Sequence, residues 1–300
     1  MITFQTIPTR LAGDFRYCRE VVGMHSENFP VGSLFAPRRI RPLLHAIYAF
    51  ARTADDFADL PGRGGEARLL LLDDWSRRLE QAEAGRPDHP IFRALAYVFE
   101  VTDLPSDPLH ELLIAFRMDV TNKRYDTMAE LEQYCRYSAN PIGRIVLHLA
   151  GQANLSPGQR SHPEIFAYSD AICTALQLTN HWQDLGEDPY SGRPLYLPRE
   201  LMDRFGVTEE MILARRFSPA IGSLMLHLVS RTRSLFLAGE PLIRAVDWPL
   251  KLELAAIREG GMTILDHIEA AGGNTMRVRP HLSSWERANC FWRALAGASL

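Results

Sequence analysis

Tyr48, Arg52, Asp55 and Asp59 stand at offsets 0, 4, 7 and 11 within Tyr-Ala-Phe-Ala-Arg-Thr-Ala-Asp-Asp-Phe-Ala-Asp. Gln177, His181, Asp184 and Asp188 repeat those offsets later in the chain. On a helix turning 100° per residue, four such positions lie within about 60° of one another. Each stripe then carries two carboxylates one turn apart, and the first adds a phenol and a guanidinium. Such pairs suit Mg²⁺, a hard cation that prefers oxygen and is commonly bridged from one or two carboxylates to substrate phosphate. Two facing pairs would hold a metal cluster around a diphosphate, and with an arginine absorbing the charge on the leaving group the carbon skeleton could ionise to a carbocation. An acidic i, i+4 pair is more often a solvated surface. Asp55 and its neighbour Asp56, however, lie in an otherwise apolar helix, where bare carboxylates are costly, and the stripe occurs twice. Asp73-Asp74, followed by Trp75, Arg77 and Arg78, has neither feature and reads as surface.

The elements that must position these stripes are helices. Apolar residues recur at helical spacing almost throughout, as in Leu43, Leu44, Ile47, Phe50, Ala54 and Phe57. Alternating strand-like runs are scarce. Breakers fall at Pro61 to Gly65, Gly85 to Pro90, Pro105 to Pro108, Ser156 to Pro163, Pro189 to Pro198 and Gly272 to Pro280. The pattern predicts an all-α protein of about ten or more helices joined by short loops. No linker divides it, so residues 1–300 are expected to form a single domain. Pro61-Gly62-Arg63-Gly64-Gly65 fails the GxGxxG spacing because position 67 is alanine, and no histidine has a glutamate three residues before it. Neither a dinucleotide fold nor a di-iron bundle is supported.

Composition narrows the classes further. The chain is 46% hydrophobic and 23% charged, with a net charge of −3 and a pI near 6.4, which removes the usual electrostatic reason for a nucleic-acid partner. Cys18, Cys135, Cys173 and Cys290 are far apart with no CxxC pair, so neither zinc nor a disulfide framework is indicated. The N-terminal residues lack a signal-peptide pattern, and no stretch reaches the ~18 apolar residues of a membrane span. A cytoplasmic location is expected, with peripheral membrane association through the C-terminal segment as an extension. There Trp285, Phe291, Trp292 and Leu295 recur near helical spacing among Arg287 and Arg293.

These residues resemble the squalene/phytoene synthases over nearly the whole chain, and within that family the hydroxysqualene-forming branch of bacterial hopanoid biosynthesis. The family's tyrosine, arginine and DxxxD pattern matches Tyr48, Arg52, Asp55 and Asp59; its glutamine, asparagine and DxxxD pattern matches Gln177, Asn180, Asp184 and Asp188. His25-Ser26-Glu-Asn28-Phe29-Pro resembles the segment that approaches a substrate diphosphate. Met118 to Thr127, Tyr134-Cys135-Arg-Tyr137 and Gly192-Arg193-Pro-Leu-Tyr196-Leu-Pro198 resemble central and following stretches. Three positions depart from the pattern. Ser138-Ala139-Asn140-Pro141 stands after the Tyr-Cys pair, Gln183 replaces an arginine before the second acidic motif, and glycines stand near 260–261 where a late tyrosine is usual.

The resemblance implies a helical isoprenoid-synthase bundle with a deep cavity and Mg²⁺ as cofactor. Asp55, Asp56, Asp59, Asp184 and Asp188 would be metal ligands. Tyr48, Arg52, Tyr134 and Asn140 would be catalytic. His25, Ser26, Asn28, Phe29, Tyr48, Arg52, Gln177, Asn180 and Arg193 would bind an isoprenoid diphosphate. Phe29, Phe50, Phe57, Leu147 and Trp182 are candidates for the cavity wall. The implied reaction converts presqualene diphosphate to hydroxysqualene. The alternatives are head-to-head condensation of two farnesyl diphosphates, and a non-catalytic member assembling with downstream enzymes. Pro141 is expected to break the helix carrying Tyr134 and to push Asn140 out of helical geometry, so that Asn140 holds a water near the cation.

Overall fold

The computed structural model describes residues 7–24, 39–121, 124–152, 163–191 and 193–298. In chain order the main elements are α1 (Ala12–Gly23), α2 (Arg41–Ala58), α3 (Gly65–Glu83), α4 (Pro90–Thr102), α5 (Asp107–Thr121), β1 (Arg124–Tyr125), α6 (Met128–Ser138), α7 (Asn140–Leu149) and α8 (Pro163–Gln183). They continue with α9 (Asp188–Ser191), β2 (Leu195–Pro198), α10 (Arg199–Phe205), α11 (Glu209–Leu213), α12 (Pro219–Gly239), α13 (Pro241–Ala245), α14 (Leu250–Ala270) and α15 (Ser284–Ala298). The described chain is all-α apart from β1 and β2, which pair in parallel. It forms two compact units, one of residues 1–120 and 141–166, the other of residues 121–140 and 167–300.

In the first unit α2 is wrapped by α1, α3 and α4. Its apolar positions Leu43, Leu44, Ile47, Phe50 and Ala54 are buried, as their spacing predicts. The Phe50 ring stacks on Trp75 at 21° and meets Phe92 edge-on, while the Trp75 indole N–H donates to the Phe50 carbonyl. Phe50 is therefore fully enclosed in packed core. Asp74 pairs with Arg77 and Arg78, and Asp73 with Arg117, at the surface anticipated for them.

In the second unit the long helices α12 and α14 pack together, and α15 lies along α14. The Trp182 indole N–H donates to the Thr232 hydroxyl at 2.8 Å, which fixes α8 on α12. Trp182 is thus completely buried core. The chain does break after Tyr134, at Ala139, but Asn140 is the first residue of α7 and not an extended one. Proline's missing N–H does no harm in the first turn of a helix, because donors there have no intrahelical partner. All four cysteines are free.

Close packing between α12 and α14 depends on Gly261, where an added Cβ would strike the Phe236 ring. The departure near residues 260–261 thus makes room for a phenylalanine. Overpacking costs about 1–3 kcal/mol and exceeds the fraction of a kcal/mol that valine gains over glycine in helix propensity. Gly261→Val should lower the urea midpoint by an amount equivalent to about 2 kcal/mol; an unchanged midpoint would mean that the ring moves aside freely.

Candidate active site

The first stripe lies at the C-terminal end of α2. Arg52 Nη1 donates to Asp55 Oδ2 at 3.0 Å, and its Nη2 sits 3.1 Å from Asp56 Oδ1. Asp59 caps the helix, its backbone N–H bonding the Asp55 carbonyl. Tyr48 is buried one turn upstream of Arg52. Three carboxylates therefore crowd the negative end of a helix macrodipole, where anions are unfavourable and cations favoured.

The second stripe does not run on one continuous helix. Alpha-8 ends at Gln183, a turn carries Asp184 to Glu187, and Asp188 opens α9. The i, i+4 spacing survives because the Asp184 N–H bonds the Asn180 carbonyl and the Asp188 N–H bonds that of Asp184, each at 2.9 Å. The turn contains Gly186, where any Cβ would collide with the backbone of Met276. That close approach admits the loop preceding α15. Gln183 Nε2 donates to the Pro280 carbonyl and Thr275 Oγ1 to the Trp182 carbonyl, each at 2.7 Å. So moored, the loop delivers Arg279 to Asp184 through Nε–Oδ1 and Nη2–Oδ2 bonds. The Asp184 bond, reinforced by the charges of Asp184, Glu187 and Asp188, raises the Arg279 pKa further, so this group is a permanent cation. Arg193 reaches within 3.9 Å of Asp188.

Beside these charges lies an aromatic cluster. The parallel pairing of β1 and β2 brings Tyr125 and Tyr196 face to face, and Tyr134 of α6 packs against both. His181 of α8 stacks on Tyr196 at 3.8 Å and 15°. It lies 3.4 Å from the Gln177 amide. Asn180 Oδ1 is buried without a hydrogen-bond partner, an unsatisfied acceptor suited to a ligand. Asn140 is buried, and its Oδ1 accepts from the Thr174 hydroxyl at 3.0 Å.

The first acidic group lies along one helix end, as its spacing predicts, whereas the second keeps its i, i+4 spacing across a helix end and a turn. Among the described residues no set of three or more His, Cys, Asp or Glu side chains converges into a ready-made metal cage. Oxygen donors offered in ones and twos fit Mg²⁺ shared with phosphate. His25, Ser26, Asn28 and Phe29 lie outside the described residues. Sequence reasoning gave no role to Tyr125 or Tyr196, though both stand in the stretches it singled out. It missed Arg279 entirely, for no local pattern marks a residue 95 positions from its partner. A separate cleft of about 760 Å³ in the first unit, lined by Asp14, Arg93 and Tyr97 among others, contains none of the stripe residues.

Helix ends carrying paired carboxylates and arginines, with a buried aromatic cluster in the second unit, fit an all-α synthase of the isoprenoid type. The squalene/phytoene synthase family model matches residues 22–286, and the chain belongs to that family. The hydroxysqualene synthase of Rhodopseudomonas palustris is 38% identical over 234 residues, 77% of this chain and 76% of that one. The phytoene synthase of Thermus thermophilus is 32% identical over 295 residues, 97% of this chain and 96% of that one. The crystal structure of squalene synthase HpnC from Alicyclobacillus acidocaldarius is similar at a TM-score of 0.80 and 39% identity, covering 89% of this chain and 97% of that one.

Burial, assisted by the Arg193 charge, lowers the His181 pKa to about 3. The unfolded imidazole titrates near 6.5. Between those values the unfolded chain binds the extra proton, so stability from the neutral ring is complete above about pH 6.5 and declines as pH falls, by up to about 1.4 kcal/mol per unit. His181→Phe, which preserves a ring against Tyr196, should flatten the pH dependence of the urea midpoint between pH 7 and 5. Parallel curves for the two proteins would contradict a buried neutral imidazole.

Proposed function

We propose that the protein converts presqualene diphosphate to hydroxysqualene and diphosphate in a Mg²⁺-dependent reaction. The observation that carries the diphosphate chemistry is the placement of carboxylates at two helix C-termini, each already met by an arginine. The likeness to a hydroxysqualene synthase and the Ser138-Ala139-Asn140-Pro141 junction favour this product.

Asp55, Asp59, Asp184 and Asp188, with Asp56 as a further ligand, would hold Mg²⁺, which neutralises the charge of the departing diphosphate. Arg52, Arg193 and Arg279 offer planar, permanently charged forks to phosphate oxygens. On binding, Arg279 would exchange its Asp184 partner for phosphate. Gln177 and Asn180, and on family grounds His25, Ser26, Asn28 and Phe29, would orient the substrate; Tyr48 would support Arg52 from the preceding turn. Loss of diphosphate leaves a cyclopropylcarbinyl cation. The face of Tyr134 can stabilise positive charge by about 0.5–2 kcal/mol. The rearranged cation adds water, forming a C–O bond, and the proton released passes to solvent or diphosphate. Thr174 fixes the Asn140 amide by its oxygen, leaving the Nδ2 edge to position that water.

A second reading, condensation of two farnesyl diphosphates, is favoured by the phytoene synthase that matches nearly the whole chain. The two are separated by incubating pure protein and Mg²⁺ with each diphosphate in ¹⁸O-labelled water, with and without NADPH. Labelled hydroxysqualene from presqualene diphosphate, at a rate indifferent to NADPH, is the expected result. Squalene as main product, or an unlabelled alcohol, would sink the first reading; turnover of farnesyl diphosphate alone would favour the second.

Asp55→Asn and Asp184→Asn should each slow diphosphate release by about a hundredfold or more, the scale on which removal of one preorganised electrostatic group acts. Helix content by circular dichroism should not change. Wild-type turnover in both variants would refute the two-face site.

A further inference from the structure

Among the described residues, Asp103 and Arg215 are the non-glycine residues with a positive φ. Asp103 is the C-cap of α4, and a short acidic side chain tolerates the left-handed region. Arg215 has no such tolerance. It follows α11, where its N–H bonds the Ile212 carbonyl at 2.9 Å and the Arg216 N–H bonds the Met211 carbonyl at 3.0 Å. That pair of bonds is the Schellman ending of a helix, and its left-handed position is most often filled by glycine, which has no steric penalty there. An arginine with a φ of 50° is held against its own backbone preference, which points to a use for its side chain.

The use lies at the far end of the guanidinium. Arg215 Nη2 donates to the Gly186 carbonyl at 2.7 Å, and its Cζ lies 4.4 Å from the centre of the Tyr190 ring. The Tyr190 hydroxyl in turn donates to the Leu213 carbonyl at the end of α11. Gly186 is the middle of the turn from Asp184 to Asp188, and Tyr190 belongs to α9, which Asp188 opens. One guanidinium thus grips both the turn and the helix that follows it. Glycine has the widest backbone freedom of any residue, so fixing its carbonyl removes the largest source of slack between the two carboxylates. A planar fork suits the task, because it hydrogen-bonds in its plane while stacking through its face.

The separation of the carboxylates matters to Mg²⁺, which demands near-octahedral geometry. Groups that orient metal ligands without touching the metal change its affinity by about 10–100-fold when removed. We infer that Arg215 is a positioning residue for the second acidic pair, setting the separation of Asp184 and Asp188 for Mg²⁺ and diphosphate while touching neither. The inference rests on the Mg²⁺ reading of those aspartates given above, and not on which isoprenoid diphosphate is the substrate.

The test is a Mg²⁺ titration at fixed inorganic diphosphate, read by the melting midpoint of the full chain, with a parallel titration read by diphosphate release from substrate. Arg215→Gly supplies the residue that the left-handed position favours and deletes only the side chain. Its midpoint without Mg²⁺ should stay within about 3 °C of wild type, the shift that roughly 1 kcal/mol produces. Its half-saturating Mg²⁺ should rise about tenfold or more in both titrations, while the rate at saturating Mg²⁺ changes by less than about threefold. Arg216→Ala, which removes an equal charge from the next, exposed residue, should titrate as wild type. A role in folding alone would lower the midpoint without Mg²⁺ and leave the half-saturation unchanged. That result, a wild-type titration by Arg215→Gly, or an equal loss in Arg216→Ala would overturn the inference while the wild-type Mg²⁺ response kept the metal site standing. No Mg²⁺ response in the wild type would overturn it together with the reading on which it rests.

Discussion

Acidic side chains at the end of a helix that is already negative are held there only in the presence of cations. Asp55, Asp56 and Asp59 occupy that end of α2, and Asp184 occupies it on α8 with Asp188 one turn beyond. The macrodipole contributes roughly half an elementary negative charge at each place. Arg52 answers the first cluster from within the same helix, spanning Asp55 and Asp56. Arg279 answers the second from a distant loop. In the proposed reaction the fields that hold these arginines would hold Mg²⁺ and diphosphate, and each cluster by itself is electrostatically arranged for a cation.

Much of the surrounding second unit serves the delivery of Arg279. Gly186 lets the Met276 backbone approach, Thr275 ties the loop to the end of α8, and Gln183 secures it through the Pro280 carbonyl. Gln183 stands where the family often carries a cation, and here that position anchors the segment bringing a cation in from elsewhere. The link from Gln183 to Arg279 runs through three backbone contacts and is visible only in space.

One turn upstream of Asp184 the environment changes from ionic to aromatic. His181 is pressed against Tyr196 and kept neutral, and three tyrosines complete the cluster. Had this ring been protonated it would have repelled the positive charge that the proposed chemistry generates. Its neutrality follows from burial more than from any specific partner, Arg193 adding to the same effect.

Periodicity alone determined a good part of this protein. The helical class, the first carboxylate stripe, the i, i+4 spacing of the second pair, the surface status of Asp73 and Asp74, and the break after Tyr134 are consequences of spacing or of proline chemistry among neighbouring residues, which a sequence displays directly. Three matters were decided only by packing. The second stripe leaves its helix at Asp184 because a loop needs the space over Gly186; Asn140 is helical because proline is accepted in a first turn; and α15 turns Phe291 inward and Trp285 and Trp292 outward although all are aromatic. Arg279 is the clearest case. Its partner is 95 residues away. A guanidinium carries no mark of the carboxylate it will meet, and the pairing exists because the fold brings the loop and the helix end together.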